Sequence, residues 1–211
     1  MTPITRFDTG GFTEREPGVW TDEEHGLVLS VHFFPLVPDL PAPLDAPGPL
    51  FNGLARSVAA AGAGLIEAEL GHVDGLPAVR QLAKVARPEG RGQVFLGSWT
   101  VPRAGCSTVL KVQAGEGAMT GMREAVVLAE LGAERYFAPH PYGPGVTGGL
   151  PYHLADLEEW DERFPDHPLT LVRRTLRRIV PTVALHEQFK ALPPFAPQPP
   201  EAPRRRWFGR S

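Results

Sequence analysis

Along the first third of the chain, the alternation of apolar and polar positions gives two extended runs and then a helix. Gly18 to Thr21 and Leu27 to Phe34 carry β-branched and aromatic residues, and the polar Asp22-Glu23-Glu24-His25-Gly26 between them makes the turn of a hairpin. After a proline-rich connection, Pro49 to Ala59 places Leu50, Leu54, Ser57 and Val58 on one helical face. Gly62 or Gly64 is the expected stop.

Four more extended runs follow, at 65–73, 76–87, 93–101 and 107–113, divided by Asp74-Gly75, Pro88-Glu89-Gly90 and Pro102-Arg103-Ala104-Gly105. Asp-Gly between apolar runs specifies a tight hairpin, because both central positions of a type I′ turn require positive φ. The spacing therefore predicts an antiparallel meander. Val79, Leu82 or Ala83 and Val85 interleave with Arg80, Gln81 and Lys84, so one face of the sheet is expected to be covered and the other wet. The expected cover is the helix near residue 50 together with a second helix capped by Thr120, in which Met122, Ala125, Val126 and Ala129 recur at helical spacing. Strands in runs with helices gathered on one side make the fold class α+β.

Ala138 to Leu150 is too rich in proline and glycine for regular structure. Asp166-His167-Pro168 then opens another helix, whose apolar stripe is Leu169, Val172, Leu176, Ile179 and Val183 and whose opposite side is Arg173, Arg174, Arg177 and Arg178. Pro181 is expected to break it, and the chain from Pro193 reads as a disordered tail. The organisation expected is a sheet domain over 1–137, a Pro/Gly-rich loop over 138–155, a helical extension over 156–192 and the tail over 193–211.

Composition narrows the function classes. Apolar residues at 42% and charged residues at 21% are globular values. A net charge of −3 gives no field able to gather nucleic acid, so general nucleic-acid binding is not expected. The lone Cys106 cannot form an internal disulfide, no apolar run follows the first residues, and no stretch reaches membrane-spanning length, which makes the cytoplasm the expected location. Arginine far outnumbers lysine, and alanine and glycine are frequent, as in a bacterial GC-rich coding sequence.

No catalytic constellation is legible. No two histidines share the i, i+4 or i, i+2 spacing that presents ligands to one ion, so neither a metal nor a cofactor is expected. Gly143, Gly145, Gly148 and Gly149 match no phosphate-binding or dinucleotide pattern. The acidic stretch from Asp156 to Asp166 reads as a solvated surface facing its own arginines. What remains is cationic and aromatic: Arg173, Arg174, Arg177 and Arg178 on the helix, and Arg204, Arg205, Arg206, Trp207 and Phe208 in the tail. Such groups suit contact with another protein. The leading expectation is thus a non-catalytic protein-binding module, of adaptor or immunity type, in a bacterial cytoplasmic system. The alternative is a small-ligand-binding protein or enzyme using the loop His140 to His153, with Tyr142, Tyr152 and Cys106 converging on a pocket.

Trp20 early in the chain, Asp74-Gly75-Leu76-Pro77-Ala78 opening a long hairpin, and Thr120-Gly121-Met122-Arg123-Glu124 heading the closing helix set an order of elements that resembles the PsbP-like fold between Arg6 and Leu131. That superfamily includes photosystem II extrinsic subunits, a Ran-binding nuclear import factor and many small bacterial proteins. The resemblance implies an antiparallel sheet between helices and members that mostly bind partners. It carries no site residue across, and the segment after residue 138 lies outside it.

Overall fold

In the computed structural model, which describes residues 2–88, 91–117 and 120–196, the alternation read from the sequence becomes an antiparallel sheet of seven strands. The chain forms β1 (Ile4–Arg6), β2 (Thr13–Glu16), β3 (Val19–Asp22), β4 (Leu27–Phe34), β5 (Gly64–Val73), β6 (Leu76–Ala86), β7 (Gln93–Arg103) and β8 (Cys106–Gly115). The spatial order is β2-β3-β4-β8-β7-β6-β5, so the meander joins the first hairpin through β4 and β8. Asp74 at φ 47° and Gly75 at φ 78° make the left-handed turn that the Asp-Gly pair predicts. The Asp74 carboxylate also accepts Leu185 N–H at 2.8 Å and meets Lys190 Nζ at 2.6 Å, which pins the segment 185–190 to this turn.

The helices are α1 (Pro47–Ala60), α2 (Met122–Leu131), α3 (Ala133–Tyr136), α4 (Pro168–Ile179) and α5 (Glu187–Lys190), with 3-10 turns at Leu154–Asp156, Glu158–Arg163 and Val180–Thr182. A short strand β9 (Ala184–Leu185) pairs antiparallel with β1. The predicted α+β class is the observed one. At α2 the cap differs from expectation: Gly121, at φ 72°, takes the N-cap, and Thr120 instead donates its hydroxyl to Gly117 O at 2.9 Å. At α4 the cap is His167, whose ring accepts Leu169 N–H ahead of Pro168 at the first helical position.

Both faces of the sheet are covered, which corrects the expectation of one wet face. Val79 packs with Leu65, Ala68, Leu50 and Leu54 beneath α1, whereas its neighbour Ala78 belongs with Leu82, Phe95, Leu169, Val172 and Leu176 beneath α4. Adjacent strand residues point to opposite faces, so α1 and α4 lie on opposite sides. The segment 156–192, read as an extension, therefore supplies the lid of the main core. The approach is tight: a β-carbon on Gly97 in β7 would lie 2.5 Å from Leu176 Cδ1 and 2.6 Å from Val172 Cγ1. Burying each of Leu169, Val172, Leu176 and Ile179 contributes about 1.5–3 kcal/mol as an upper estimate. Order extends past residue 192, where Ala104 N–H donates to Pro193 O at 3.0 Å and Arg103 bridges to Pro194. The rest of the expected tail, 197–211, lies outside the described residues.

Candidate functional site

Of the four arginines read as a basic face, Arg174, Arg177 and Arg178 are exposed and Arg173 is buried. Arg173 is not on the solvent side of α4: it is 1% exposed, donates from Nε to Glu67 Oε1 and from Nη1 to Asp161 Oδ1, each at 2.7 Å, and reaches Asp156 O. Arg177 pairs with Glu158 at the surface, and Arg178 pairs with Asp8 and donates to Gly10 O at 2.9 Å. Arg174 is exposed and makes no ion pair with another described residue. The other predicted contacts, Arg204, Arg205, Arg206, Trp207 and Phe208, lie outside the described residues.

The loop His140 to His153 has a structural task. β5 ends the sheet, and an uncovered edge strand exposes amide and carbonyl groups to unwanted pairing. Tyr142 Oη accepts Ala68 N–H and donates to Ala68 O at 3.2 Å, His140 Nε2 meets Leu65 O at 3.2 Å, and Leu150 N–H donates to Ala63 O at 3.2 Å. The proline and glycine content lets the loop follow that edge while Phe51 packs edge-on against Tyr142. Cys106 does not join this group. It starts β8, whereas Lys84, which contacts His153, registers through Phe95 with Ala114 at the other end, eight residues and roughly 26 Å along the strand. Burial raises the Cys106 thiol, opposite to what a thiolate nucleophile needs.

A polar interior has assembled where sequence reasoning placed surface charge. Lys84 shares the inward side of β6 with Ala78 and Leu82, and both it and Asp156 are 1% exposed. Lys84 Nζ donates to Asp156 Oδ2 at 2.6 Å and to His153 Nε2 at 2.9 Å, and the Tyr136 ring stacks on His153 at 4.9 Å. A ring nitrogen that accepts from an ammonium cannot carry a proton. Burial holds His153 down to about 4, with the Lys84 charge assisting and Asp156 opposing. Arg123, fully buried near the start of α2, donates to Ala155 O and Leu157 O at 2.7 Å, Asp161 Oδ1 at 2.8 Å and Thr170 Oγ1 at 3.0 Å. Asp161 thus links Arg123 to Arg173. These buried charges are paired and hydrogen-bonded, the condition for keeping charge inside a protein.

Beside this network three potential ligand groups converge, two of them with an atom that has no hydrogen-bond partner among the described residues. Glu116 follows the last residue of β8, Glu124 sits in the first turn of α2 and His167 caps α4. One donor atom from each lies within 4.8 Å of the others. Glu116 is held by Gln93 N–H on Oε2 and Gly121 N–H on Oε1, both at 2.7 Å. Glu124 Oε2 is buried and has no hydrogen-bond partner among the described residues, and His167 Nε2 is in the same state, 3.9 Å from Glu116 Oε1. Burial, with Glu116 nearby, raises the Glu124 carboxyl, and burial with the charges of Arg123 and Arg173 holds His167 down to about 3. Phe95 packs edge-on against the His167 ring at 5.2 Å, fixing its orientation. Glu116 and His167 line a cleft of about 460 Å³ whose other walls include Met122, Phe164, Pro165 and Pro168.

A wider groove of about 790 Å³ runs along α4, where Arg173 is already paired with Asp161 and Arg177 with Glu158, and the exposed Arg174, Glu159 and Glu162 complete its charged lining. A ligand there would compete with pairs in place. The cleft beside His167 offers unsatisfied groups instead, and it is the stronger candidate. No protein-family model matches the chain, and no curated protein matches it. Among the described residues, no helix is long and apolar enough to cross a membrane.

Proposed function

We propose that the protein binds a small ligand in the cleft between α2 and the turn at 163–168, with a cationic or proton-donating head on the carboxylates of Glu116 and Glu124 and an apolar body against Met122, Phe164 and Pro168. The observation that carries this reading is Glu124, whose buried Oε2 has no hydrogen-bond partner among the described residues and whose carboxylate comes within 4.8 Å of Glu116 and His167, two residues that line the cleft. Buried polar groups are nearly always satisfied, so an orphaned carboxylate oxygen beside an open cleft points to something that fills it. The probe is benzylamine, followed through the ¹³C-labelled methyl of Met122. A saturable shift that weakens in Glu124→Gln, and is smaller for neutral benzyl alcohol, supports the reading. Equal responses from the wild type and Glu124→Gln would remove it.

A second reading is docking of another protein, and it is favoured by a different place from the arginine helix. Phe33, Phe34, Leu36 and Val37 are exposed at and just beyond the end of β4, and Leu192 shares a groove with Phe33. Clustered exposed apolar residues mark interaction surfaces. A photo-crosslinking residue at position 36 should give one discrete adduct in the producing cell, lost in Phe34→Ser. Equal labelling from position 13 on the outer strand β2 would count against it.

A further inference from the structure

Resting on the reading of the cleft as a ligand site, we infer that the cation its carboxylates take is a first-row divalent metal ion, held by Glu116, Glu124 and His167 with its remaining coordination positions open into the cleft. The donor set is two carboxylates and one imidazole, a hard-to-borderline mixture that suits manganese, iron or zinc better than calcium or magnesium. Three protein donors leave at least one position open, which is the arrangement of sites that act on a bound molecule and not of closed structural ones.

Two features separate this trio from an ordinary acidic surface. The His167 side chain is nine-tenths buried and its Nε2 has no hydrogen-bond partner among the described residues although it stands 3.9 Å from Glu116 Oε1. Glu124 Oε2 is likewise buried and has no partner among the described residues. Part of the support around the donors is in place: two backbone amides hold Glu116, and Phe95 packs edge-on against the imidazole. Around a tetrahedral ion with bonds of about 2.1 Å the donors would sit about 3.4 Å apart. Loading the site therefore draws these three inward from their separation of up to 4.8 Å, a movement within reach of the Glu124 side-chain torsions.

Ligation also has a local signature. The Leu169 amide donates to His167 Nδ1 at 3.2 Å, which leaves the proton of the neutral ring on Nε2. A metal on Nε2 needs that proton on Nδ1 instead. The ion thus shifts the tautomer and takes away the acceptor of the Leu169 amide, so binding is felt at the first turn of α4.

The test uses the tag-free full chain, Mn²⁺ by electron paramagnetic resonance and Zn²⁺ by calorimetry. The expected result is one ion per chain, an affinity loss of about tenfold or more in both Glu124→Gln and His167→Asn, and no loss in the exposed control Glu159→Gln. Asparagine retains capping ability, so His167→Asn keeps the start of α4, and a thermal melt verifies the fold of each variant. The Leu169 amide resonance should move on Zn²⁺ loading. Unchanged affinity in both variants, or no uptake of either ion, overturns the metal assignment. If the ions fail while benzylamine still shifts Met122 in a Glu124-dependent way, the assignment alone falls; if both fail, the cleft reading falls with it.

Discussion

Replacing Lys84 with methionine probes the polar interior where its energy is greatest. The ammonium and the Asp156 carboxylate are each 1% exposed and meet at 2.6 Å, and the same ammonium occupies the Nε2 lone pair of His153. Methionine fills most of the volume but leaves Asp156 as a buried anion whose remaining bond at Oδ2 is the His153 amide at 3.2 Å. Stranding one partner of a buried pair costs roughly 3–5 kcal/mol, a large part of the 5–15 kcal/mol or so that stabilises a typical domain. Adding Asp156→Asn removes the stranded charge, so the double variant should be more stable than the sum of the single losses implies, by about 1–3 kcal/mol. His153, freed from the ammonium and still beside Asp156, should protonate more readily in Lys84→Met, so that variant's penalty shrinks toward acid. Urea unfolding followed by tryptophan fluorescence gives the midpoints and slopes needed. A loss below about 1 kcal/mol, or strict additivity in the double variant, would refute the argument that this pair is desolvated and mutually dependent.

Three further outcomes are expected. Gly97→Ala should cost about 1–3 kcal/mol by thermal melt, because the new methyl overlaps Leu176 and Val172, and adding Val172→Ala should restore part of it. Tyr142→Phe should cost about 1–2 kcal/mol and raise hydrogen exchange at Ala68, since one hydroxyl serves both backbone groups of that edge residue. His153 titrates near 4 when folded against an ordinary 6.5, so the unfolded chain binds more protons in that window. Stability from this group is therefore complete above the unfolded value and is lost as pH falls from 6.5 to about 4, a loss of roughly 3 kcal/mol that His153→Gln should abolish in urea midpoints measured across pH.

The meander was legible because its information is local. Asp74-Gly75 and the proline and glycine turns fix where each strand reverses, and alternation within a strand needs no distant partner. The helix α4 was legible as a helix but not as the lid of the core, since its contacts with Leu82 and Phe95 cross more than seventy residues of sequence. Arg173 was misplaced despite an available signal: it stands four residues after Leu169 and three before Leu176, on the inner stripe. Lys84 likewise has the parity of Ala78 and Leu82, and parity decides facing more firmly than charge. The trio of Glu116, Glu124 and His167 left no local trace. A strand end, a first helical turn and a helix cap meet only when α2 and α4 pack across the same end of the sheet.

The most direct measurement is a crystal structure grown with zinc, with data collected on both sides of the zinc absorption edge. The expected result is one strong anomalous peak bonded to Glu124 and to His167 Nε2 at about 2.0–2.2 Å, with Glu116 completing the protein donors. An ordered water bridging His167 and Glu116, with zinc absent or bound elsewhere, would contradict it.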